Sequence, residues 1–600
     1  MSAGNHQIVQ LSSARFLAGC AFVAAGLLVF GRGQMPVGLL AAEVFATILG
    51  LFLFGSFKYQ VHKNALTYGM ALIIIATFCG LPASEWHTAV AARGWAAWAR
   101  EHLLSFHGLD DLVHADTMLF ILGLTFFVAV IAQTRLLEGI TFFLLRRFQG
   151  GILPTVISVT AVVAFASGIL DGVSMIGLTI RTLVIILMLA AAPTAAIRYA
   201  VMVCTAVTTI CGIWLAYGEP PNLIMKANLH PHLDNAFFLR YCAPAAILSY
   251  LVIAWKLRRK LGRQKVVLEH LDVLDANADT VRFLQAERHG EVLTPVEMAE
   301  DHAAELGGHA DAVIARLRKG EPFGEAMVHE NVPVATRQKL LGHFVSEELA
   351  DALDRRYVLL AAGDERGADQ ADVAVDETIA RLKPRRVLAQ QIGALALVPF
   401  VGMLIVHGIH HDVPLFLSSF AGFAVALLGI VNLPKMRALA LCEARHEYAE
   451  YYFLFPLFLS ITLLTKAGFF DVMQDLIHAG IERLGHAPVA FAQFVGCTVL
   501  SSILDNNVVA DFASRALHGL EIGVLHLFSM AQIAGYALGG CWTHIGSAQS
   551  VVAFAFIKRD VDEQYTPVRW IKEMTPVILE ILVLLLVVIY IESLLLKWLH

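Results

Sequence analysis

Two short stretches of this chain place an aspartate directly after a long apolar run. Asp171 lies in "ASGILDGVS" and Asp505 in "LSSILDNNV", and the twenty residues before each carry no Asp, Glu, Lys or Arg. An ionised carboxylate at mid-membrane costs about 2.5–3.5 kcal/mol, so such a group normally faces a bundle interior or a watery cavity. Because desolvation favours the protonated form, a sheltered carboxylate can exchange a proton for a metal cation near neutral pH. The two stretches therefore predict a cation site with Asp171 and Asp505 as ligands.

Small polar residues surround both carboxylates. The predicted additional ligands are Ser167 in the first stretch and Ser501, Ser502, Asn506 and Asn507 in the second. Such residues weaken a helix, and the freed carbonyl and hydroxyl oxygens of a broken helix can coordinate a small cation beside a carboxylate. We therefore expect a helix break at each motif.

The alternative is a structural carboxylate that an arginine neutralises. Arg181 and Arg515 each follow the motif aspartate by ten residues. On a continuous helix ten residues span about 15 Å, which is too far for an ion pair within one helix. An arginine from another segment remains an open alternative. Asp511 is either a second ion or proton site or the partner in a salt bridge.

A second pair of motifs contains "YGEPPNL" and "THIGSAQS". Its candidate ligands are Glu219 and Asn222 in the first motif and Thr543 and Ser547 in the second. Pro220 and Pro221 predict an unwound turn between helices, because proline cannot lie in an ordinary helix interior. Exposed backbone at membrane depth is tolerated only where it lines a cavity. The alternative is a connecting loop at the surface.

The motifs occur in the same order twice. Asp171 and Asp505 are separated by 334 residues, and Arg181 and Arg515 have the same offset. In the downstream motifs "CGIWLAYG" corresponds to "GGCWTHIG". If the two copies have opposite topology, this is the arrangement of a secondary transporter with inverted repeats.

The composition indicates a membrane protein. Of the 600 residues 57% are hydrophobic and only 16% are charged, and the mean hydropathy is +0.66. Apolar windows recur from Ala14–Phe30 to Pro576–Leu596, and a helix needs about 20 residues to cross a bilayer. Open sheets cannot satisfy their backbone in lipid. We therefore expect an all-α polytopic membrane protein with broken or re-entrant helices.

One charged segment interrupts the apolar sequence. It begins with "KLRRKLGRQK" and ends with "RLKPRR", and basic flanks mark the cytoplasmic side of a membrane. The predicted organisation is N-terminal membrane helices with an interfacial helix (1–110), a first transport repeat (111–256), a cytoplasmic helical insert (257–386), connecting membrane helices (387–449), and a second transport repeat with the C-terminal membrane helix (450–600).

The quoted motifs, together with "TRLLEGITFFLLRR", resemble the ion transporter superfamily, and most closely its NhaD-type sodium/proton antiporters and ArsB-type permeases. The resemblance implies two inverted repeats with broken or re-entrant helices, and often a homodimer. It also implies that Asp171 and Asp505 bind the ion, with Asn506, Glu219 and Asn222 nearby. The chain departs from the family pattern at Gly172, where the family often has Asn, and in the missing P-P-N turn of the second copy.

The leading hypothesis is a secondary active transporter that exchanges a monovalent cation, Na⁺, for protons across the inner membrane. The alternative is a permease for arsenite or a small anion such as a dicarboxylate or sulfate. A membrane receptor is a third class, but the insert carries no recognisable signalling motif. The sequence contains no Walker or H-E-x-x-H motif that would indicate an enzyme. We expect no cofactor besides the transported ions, and as partners the lipid bilayer and a second copy, but no nucleic acid.

Overall fold

The computed structural model describes residues 12–57, 61–82, 90–170, 172–190, 192–262, 265, 296, 299–300, 302–344, 347–410, 412–449, 451–562 and 564–599. Throughout these ranges the chain forms helices and no strands, which confirms the expected all-α class. Asp171 lies outside the described residues.

The helices before the insert fall into a peripheral and a central group. The peripheral helices are α1 (Ser13–Phe30), α2 (Val37–Phe57), α3 (Lys63–Cys79), α4 (Trp95–His102) and α5 (Phe106–Val113). The central helices are α6 (Ala115–Thr134), α7 (Leu136–Arg147), α8 (Ile152–Ala166), α9 (Gly172–Leu189), α10 (Thr194–Thr209), α11 (Pro220–Asn228) and α12 (Ala243–Lys260). The short α4 carries Trp95 and Trp98, whose rings stack 5.5 Å apart, at the predicted interfacial segment.

The described part of the insert has a hydrophobic core of its own. Its helices are α13 (Ala310–Leu317), α14 (Phe323–His329), α15 (Val334–Phe344), α16 (Glu347–Ala361) and α17 (Glu365–Leu395). Val313, Phe323, Leu340 and Tyr357 are buried in this second cluster, which is separate from the core of the apolar helices. Helix α17 runs past residue 386, so the expected domain boundary is not a helix boundary.

The remaining helices follow α17. They are α18 (Leu397–Ile409), α19 (Phe416–Ile430), α20 (Pro434–Ala449), α21 (Leu454–Lys466), α22 (Phe469–Leu484), α23 (His486–Ile503), α24 (Asn506–Arg515), α25 (Ile522–Trp542), α26 (Ala548–Phe556) and α27 (Pro567–Leu599). Gln390 of α17 donates to the Arg135 carbonyl over 3.2 Å. Helix α6 therefore ends where α17 leaves the insert.

Eight helical segments in the described residues are long and apolar enough to cross a membrane. They are Ser13–Phe30, Ala115–Thr134, Asn235–Lys260, Val387–Ile409, Met436–Lys466, His486–Ile503, Ile522–Trp542 and Pro567–Leu596. Six shorter apolar helices accompany them, and several of these end at the breaks described below. These helices are compatible with a polytopic membrane protein.

The helix directions follow from ion pairs. Arg240 pairs with Glu592 (2.8 Å) and Lys256 with Glu580 (2.5 Å), so α12 and α27 are antiparallel. We call the end at which α12 finishes with Lys260 the insert end of the bundle, and the opposite end the far end. Helix α6 runs from the far end to the insert end.

The hairpin of α8 and α9 enters from the insert end. Gly151, before α8, forms a bridge with Lys265, just after α12. Helix α9 leads back to the same end, because Arg181 approaches Glu443 (3.7 Å), which accepts a hydrogen bond from Gln133 near the end of α6 (2.8 Å). Both open ends of this hairpin therefore lie at the insert end.

The hairpin of α23 and α24 enters from the far end. The Phe491 ring of α23 lies 6.4 Å from that of Tyr590, near the far end of α27. Helix α24 leads back, because Arg515 at its last residue lies 3.2 Å from His114 at the start of α6. The two hairpins thus enter the bundle from opposite ends.

Candidate functional site

Four interruptions between consecutive helices, two before and two after the insert, meet inside the bundle. Break 1 comprises the described residues 167–170 between α8 and α9, and break 2 residues 210–219 between α10 and α11. Break 3 comprises residues 504–505 between α23 and α24, and break 4 residues 543–547 between α25 and α26. All four coincide with the polar and glycine-rich motifs of the sequence, where helix propensity is low.

The two prolines lie differently from the prediction. Pro220 and Pro221 occupy the first turn of α11, where the missing N–H has no helical partner to lose. The unwound backbone instead precedes them and ends at Glu219, which has extended dihedral angles (φ −129°, ψ 121°). The expected unwound turn between helices is therefore present, but it ends at Glu219, and the prolines begin the helix that follows it.

Breaks 1 and 2 touch through their backbones. The Gly218 N–H donates to the Gly168 carbonyl (3.1 Å), and a Cβ at Gly218 would overlap the Ser167 carbonyl oxygen. In the second pair, break 4 lies equally close to the last turn of α23, which leads into break 3, since a Cβ at Gly546 would lie 2.7 Å from the Ser501 carbonyl oxygen. Each pair of breaks therefore depends on a glycine at its crossing point.

Glu219 is sealed inside the bundle. Its residue is 2% exposed, and the Gln549 amide donates to both of its carboxylate oxygens (2.9 and 3.0 Å). A Cβ at Gly172 would overlap the Glu219 carboxylate, which explains why this position has no side chain. Gln549 belongs to the "THIGSAQS" motif, whose hydroxyl and amide groups were expected to supply oxygen ligands, but its amide nitrogen donates to Glu219 instead.

Asn222 connects break 2 to α25. It is fully buried, its amide donates to the Leu215 carbonyl (3.2 Å) and its carbonyl oxygen accepts from the Tyr536 hydroxyl (2.5 Å). Asn222 therefore holds the two motif regions together beside Glu219.

Asp505 is the N-cap of α24 and faces a cavity. One of its carboxylate oxygens accepts from the backbone N–H (2.9 Å) and the side-chain amide (2.7 Å) of Asn507. The amide oxygen of Asn507 is buried and has no hydrogen-bond partner among the described residues. Both residues and Ser547 line a cavity of about 700 Å³. Carboxylate, amide and hydroxyl oxygens are ligands that hard cations prefer.

Charged side chains of both signs line this cavity. Among its described lining residues, Asp505, Glu443 and Glu447 are acidic, and Arg181 and Lys63 are basic. Glu443 and Glu447 lie on α20 and were missed as site residues, because segment 387–449 was expected to consist of connecting membrane helices outside both repeats. The available signal was the spacing of these two carboxylates by four residues, which places them on one face of a helix.

Several predicted ligands instead hold the backbone at the breaks. Their hydroxyls donate to carbonyl oxygens: Ser167 to Ala164 (3.1 Å), Ser501 to Tyr536 (2.8 Å), Ser502 to Val499 (2.7 Å) and Thr543 to Ser502 (2.5 Å). Asn506 is buried at the first position of α24. The Ser547 hydroxyl caps α26 by accepting from the Ser550 N–H (3.2 Å) while it faces the cavity.

Arg515 forms a buried network with Asp511 rather than with Asp505. Its Nε donates to Asp511 (2.8 Å), and its other nitrogens contact Thr462, Thr465 and His114 at 3.0–3.2 Å. The structure thus has the salt bridge that the sequence analysis left open for Asp511. Arg181, the other candidate partner, approaches Glu443 (3.7 Å).

The candidate ligands that the structure describes do not form a preassembled metal centre. Within the described residues no group of three or more His, Cys, Asp or Glu side chains could hold a metal ion. No known protein-family model matches the chain, and no curated protein matches it either. The function is therefore argued from the geometry of the breaks and of the cavity.

Proposed function

We propose that this chain is a multi-pass transporter of the inner membrane that exchanges Na⁺ for protons. One observation carries the proposal. The Asp505 carboxylate and the unpartnered amide oxygen of Asn507 line a cavity in the interior of an apolar helical bundle. An acidic group inside a membrane bundle that faces a watery space is a typical element of an ion pathway.

The surface of the bundle supports insertion into a bilayer. Phe22 and Phe30 of α1 are 82% and 83% exposed, and Leu428 of α19 is 67% exposed. Large apolar side chains in such numbers are costly in water and are stable against lipid. The basic ends of the insert favour the cytoplasm for the insert end of the bundle.

The helix directions support two inverted repeats. The hairpin that contains break 1 enters from the insert end, and the hairpin that contains break 3 enters from the far end. Helix α9 packs against α26, and α24 packs against α11. The second helix of each hairpin therefore contacts the helix that follows the second break of the other copy. This is the arrangement expected for transporters that alternate access around a central site.

The electrostatics suit a monovalent cation. Helices α9, α11, α24 and α26 all begin at the breaks, and a helix N-terminus acts as roughly half a positive charge. Among the described residues Glu219 and Asp505 precede two of these helices. Among its described lining residues the cavity has three acidic and two basic side chains, and this excess of one carboxylate, counting His as neutral, matches one Na⁺ or one proton.

In the proposed cycle the Asp505 carboxylate holds either Na⁺ or one proton. Na⁺ that enters at the insert end replaces the proton, and a proton from the far side later replaces Na⁺. The charge of the site is the same in both loaded states. The proton gradient therefore drives Na⁺ out of the cell, and the unloaded ionised site resists crossing because its charge is uncompensated.

Reconstituted transport tests this proposal. Wild-type protein in proteoliposomes that contain a pH-sensitive dye is expected to move protons when Na⁺ is added outside. Asp505→Asn removes the exchangeable charge and is expected to abolish this signal. Asp475→Asn, at an exposed position on α22, is the matched control and should transport normally. Wild-type rates from Asp505→Asn would contradict the proposal.

A permease for arsenite or a small anion is the second candidate. The convergence of helix N-termini and the presence of Arg181 and Lys63 in the cavity favour it. Uptake of labelled succinate, sulfate or arsenite into the same proteoliposomes without Na⁺-dependent proton movement would replace the antiporter with this function.

A homodimer in the membrane is also part of the proposal and rests on the family resemblance. Light scattering of the purified protein in detergent, corrected for the detergent mass, is expected to give twice the 65.5 kDa of one chain. A monomer mass at all concentrations would contradict it.

A further inference from the structure

Helix α20 forms one wall of the cavity, although it lies outside both predicted repeats. Glu443, His446 and Glu447 line the cavity from this helix. Asp505 and Asn507 line it from α24 and the residue before it. A segment expected to be a connector therefore contributes two carboxylates to the same space as the candidate ion ligands.

The two carboxylates of α20 have different surroundings. Glu443 accepts from the Gln133 amide (2.8 Å) and lies 3.7 Å from the Arg181 guanidinium. The Arg181 side chain is 60% exposed, so this pair lies where the cavity opens to solvent. The positive charge of Arg181 therefore offsets the negative charge of Glu443, so that this pair attracts an approaching cation less than a lone carboxylate would.

Glu447 lies one helical turn deeper. It accepts a hydrogen bond from the Ser174 hydroxyl (3.2 Å), and Ser174 is in the first turn of α9, just after break 1. Arg181 lies about two turns further along α9. Glu443 and Glu447 thus follow one another along the cavity wall from the open end towards the breaks.

We propose that Glu447 is a second carboxylate of the cation path, which attracts a monovalent cation from the open end and delivers it across the cavity to Asp505. This inference rests on the proposed function, since it assigns an additional residue to the same pathway. Glu447 lines the same cavity as Asp505 and lies deeper than Glu443, whose charge Arg181 offsets. Acidic groups in a cleft raise the local concentration of cations.

A purely structural role for Glu447 would be to hold α9 against α20 through Ser174. The variants Ser174→Ala and Glu447→Gln separate these roles. Ser174→Ala removes the hydrogen bond and keeps the charge, whereas Glu447→Gln keeps the side-chain size and a hydrogen-bond acceptor and removes the charge.

The experiment measures KM and kcat for Na⁺ in the proteoliposome assay. We expect Glu447→Gln to raise KM about tenfold with kcat changed by less than about twofold, because the loss is one of cation attraction. Ser174→Ala and Glu447→Asp, which keep the charge, should have nearly wild-type KM. A wild-type KM for Glu447→Gln, or an equal rise in KM for Ser174→Ala, would overturn the inference.

A variant of opposite sign guards against misfolding of Glu447→Gln. His446 is exposed and lines the same cavity, so His446→Glu adds a carboxylate at a tolerant position and is expected to lower KM. An unchanged or raised KM would also overturn the inference. The two proposals can fail separately. If the wild type transports, Asp505→Asn abolishes transport, and substitutions of Glu447 and His446 leave KM unchanged, this inference is rejected and the proposed function stands. Absent Na⁺/proton exchange in the wild type would reject the proposed function itself.

Discussion

The two pairs of breaks have a similar close crossing of their backbones but differ in where their carboxylate lies. The first pair is breaks 1 and 2, and the second pair is breaks 3 and 4. In the first pair Glu219 is 2% exposed and both of its oxygens accept from Gln549. In the second pair Asp505 faces the cavity and is bonded only on one oxygen by Asn507 in the described contacts. The sealed carboxylate is held by the junction itself, whereas the open carboxylate is the one to which the proposed cycle assigns cation exchange.

A compensating change of side-chain size accompanies this difference. By motif alignment Gly172 corresponds to Asn506, and Glu219, after Gly218, corresponds to Ser547, after Gly546. The first pair combines a missing side chain with a large acid, and the second combines an amide with a small hydroxyl. Doubling of a motif therefore did not preserve its chemistry, because each pair fills a similar space with a different combination.

The largest expected effect concerns the crossing point that both pairs share. Gly218→Ala would push a methyl group into the Ser167 carbonyl oxygen, a backbone atom that cannot move without opening break 1. We expect a loss of more than about 4 kcal/mol, or no folded protein. Gly496→Ala in α23, where a Cβ has open space, is the control and should be neutral or slightly stabilising. Thermal unfolding in detergent measures both, and a stable Gly218→Ala would refute the close crossing.

The next effect tests the compensating sizes. Gly172→Asn places the side chain of the second pair against the Glu219 carboxylate and should cost about 3 kcal/mol by overpacking. The double variant Gly172→Asn with Glu219→Ser reproduces the combination of Asn506 and Ser547. We expect the double variant to lose at least about 1 kcal/mol less unfolding free energy than the sum of the losses of the two single variants. Additive losses in a double-mutant cycle would show that the two positions do not share space.

A smaller effect tests the sealed carboxylate. Glu219→Ala leaves the buried amide of Gln549 without its acceptor, which should cost about 2 kcal/mol of unfolding free energy. Glu219→Gln keeps one acceptor oxygen and should cost less. Equal thermal stability of the alanine variant and the wild type would mean that the Gln549 contact does not stabilise the junction.

The smallest effect concerns the start of α26. Ser547→Ala removes the hydroxyl that caps this helix and should cost about 1 kcal/mol. Ser547→Thr retains a capping hydroxyl and should lie closer to the wild type. A larger loss for the threonine variant than for alanine would contradict the capping role.

Much of the fold was predictable because the relevant interactions are local. Apolar runs of about 20 residues predict helices that can cross a bilayer. Clusters of Ser, Gly, Asn and Asp within such runs predict breaks in these helices. The breaks before Gly172 and Asn506 are where these residues cluster. The prolines illustrate the limit: "EPP" predicts an interruption, but only the helix that follows shows that Pro220 and Pro221 begin it.

The amino-acid sequence by itself determined the all-α class, the positions of the breaks and the two acids Glu219 and Asp505 beside them, because hydropathy and helix propensity act over neighbouring residues. The tertiary structure alone decided that Glu219 meets Gln549, that Arg515 reaches His114, and that α20 supplies carboxylates to the cavity. Contacts between segments hundreds of residues apart depend on how the helices pack. The sequence around a side chain shows whether it lies in a helix, but not which residue of another helix it contacts.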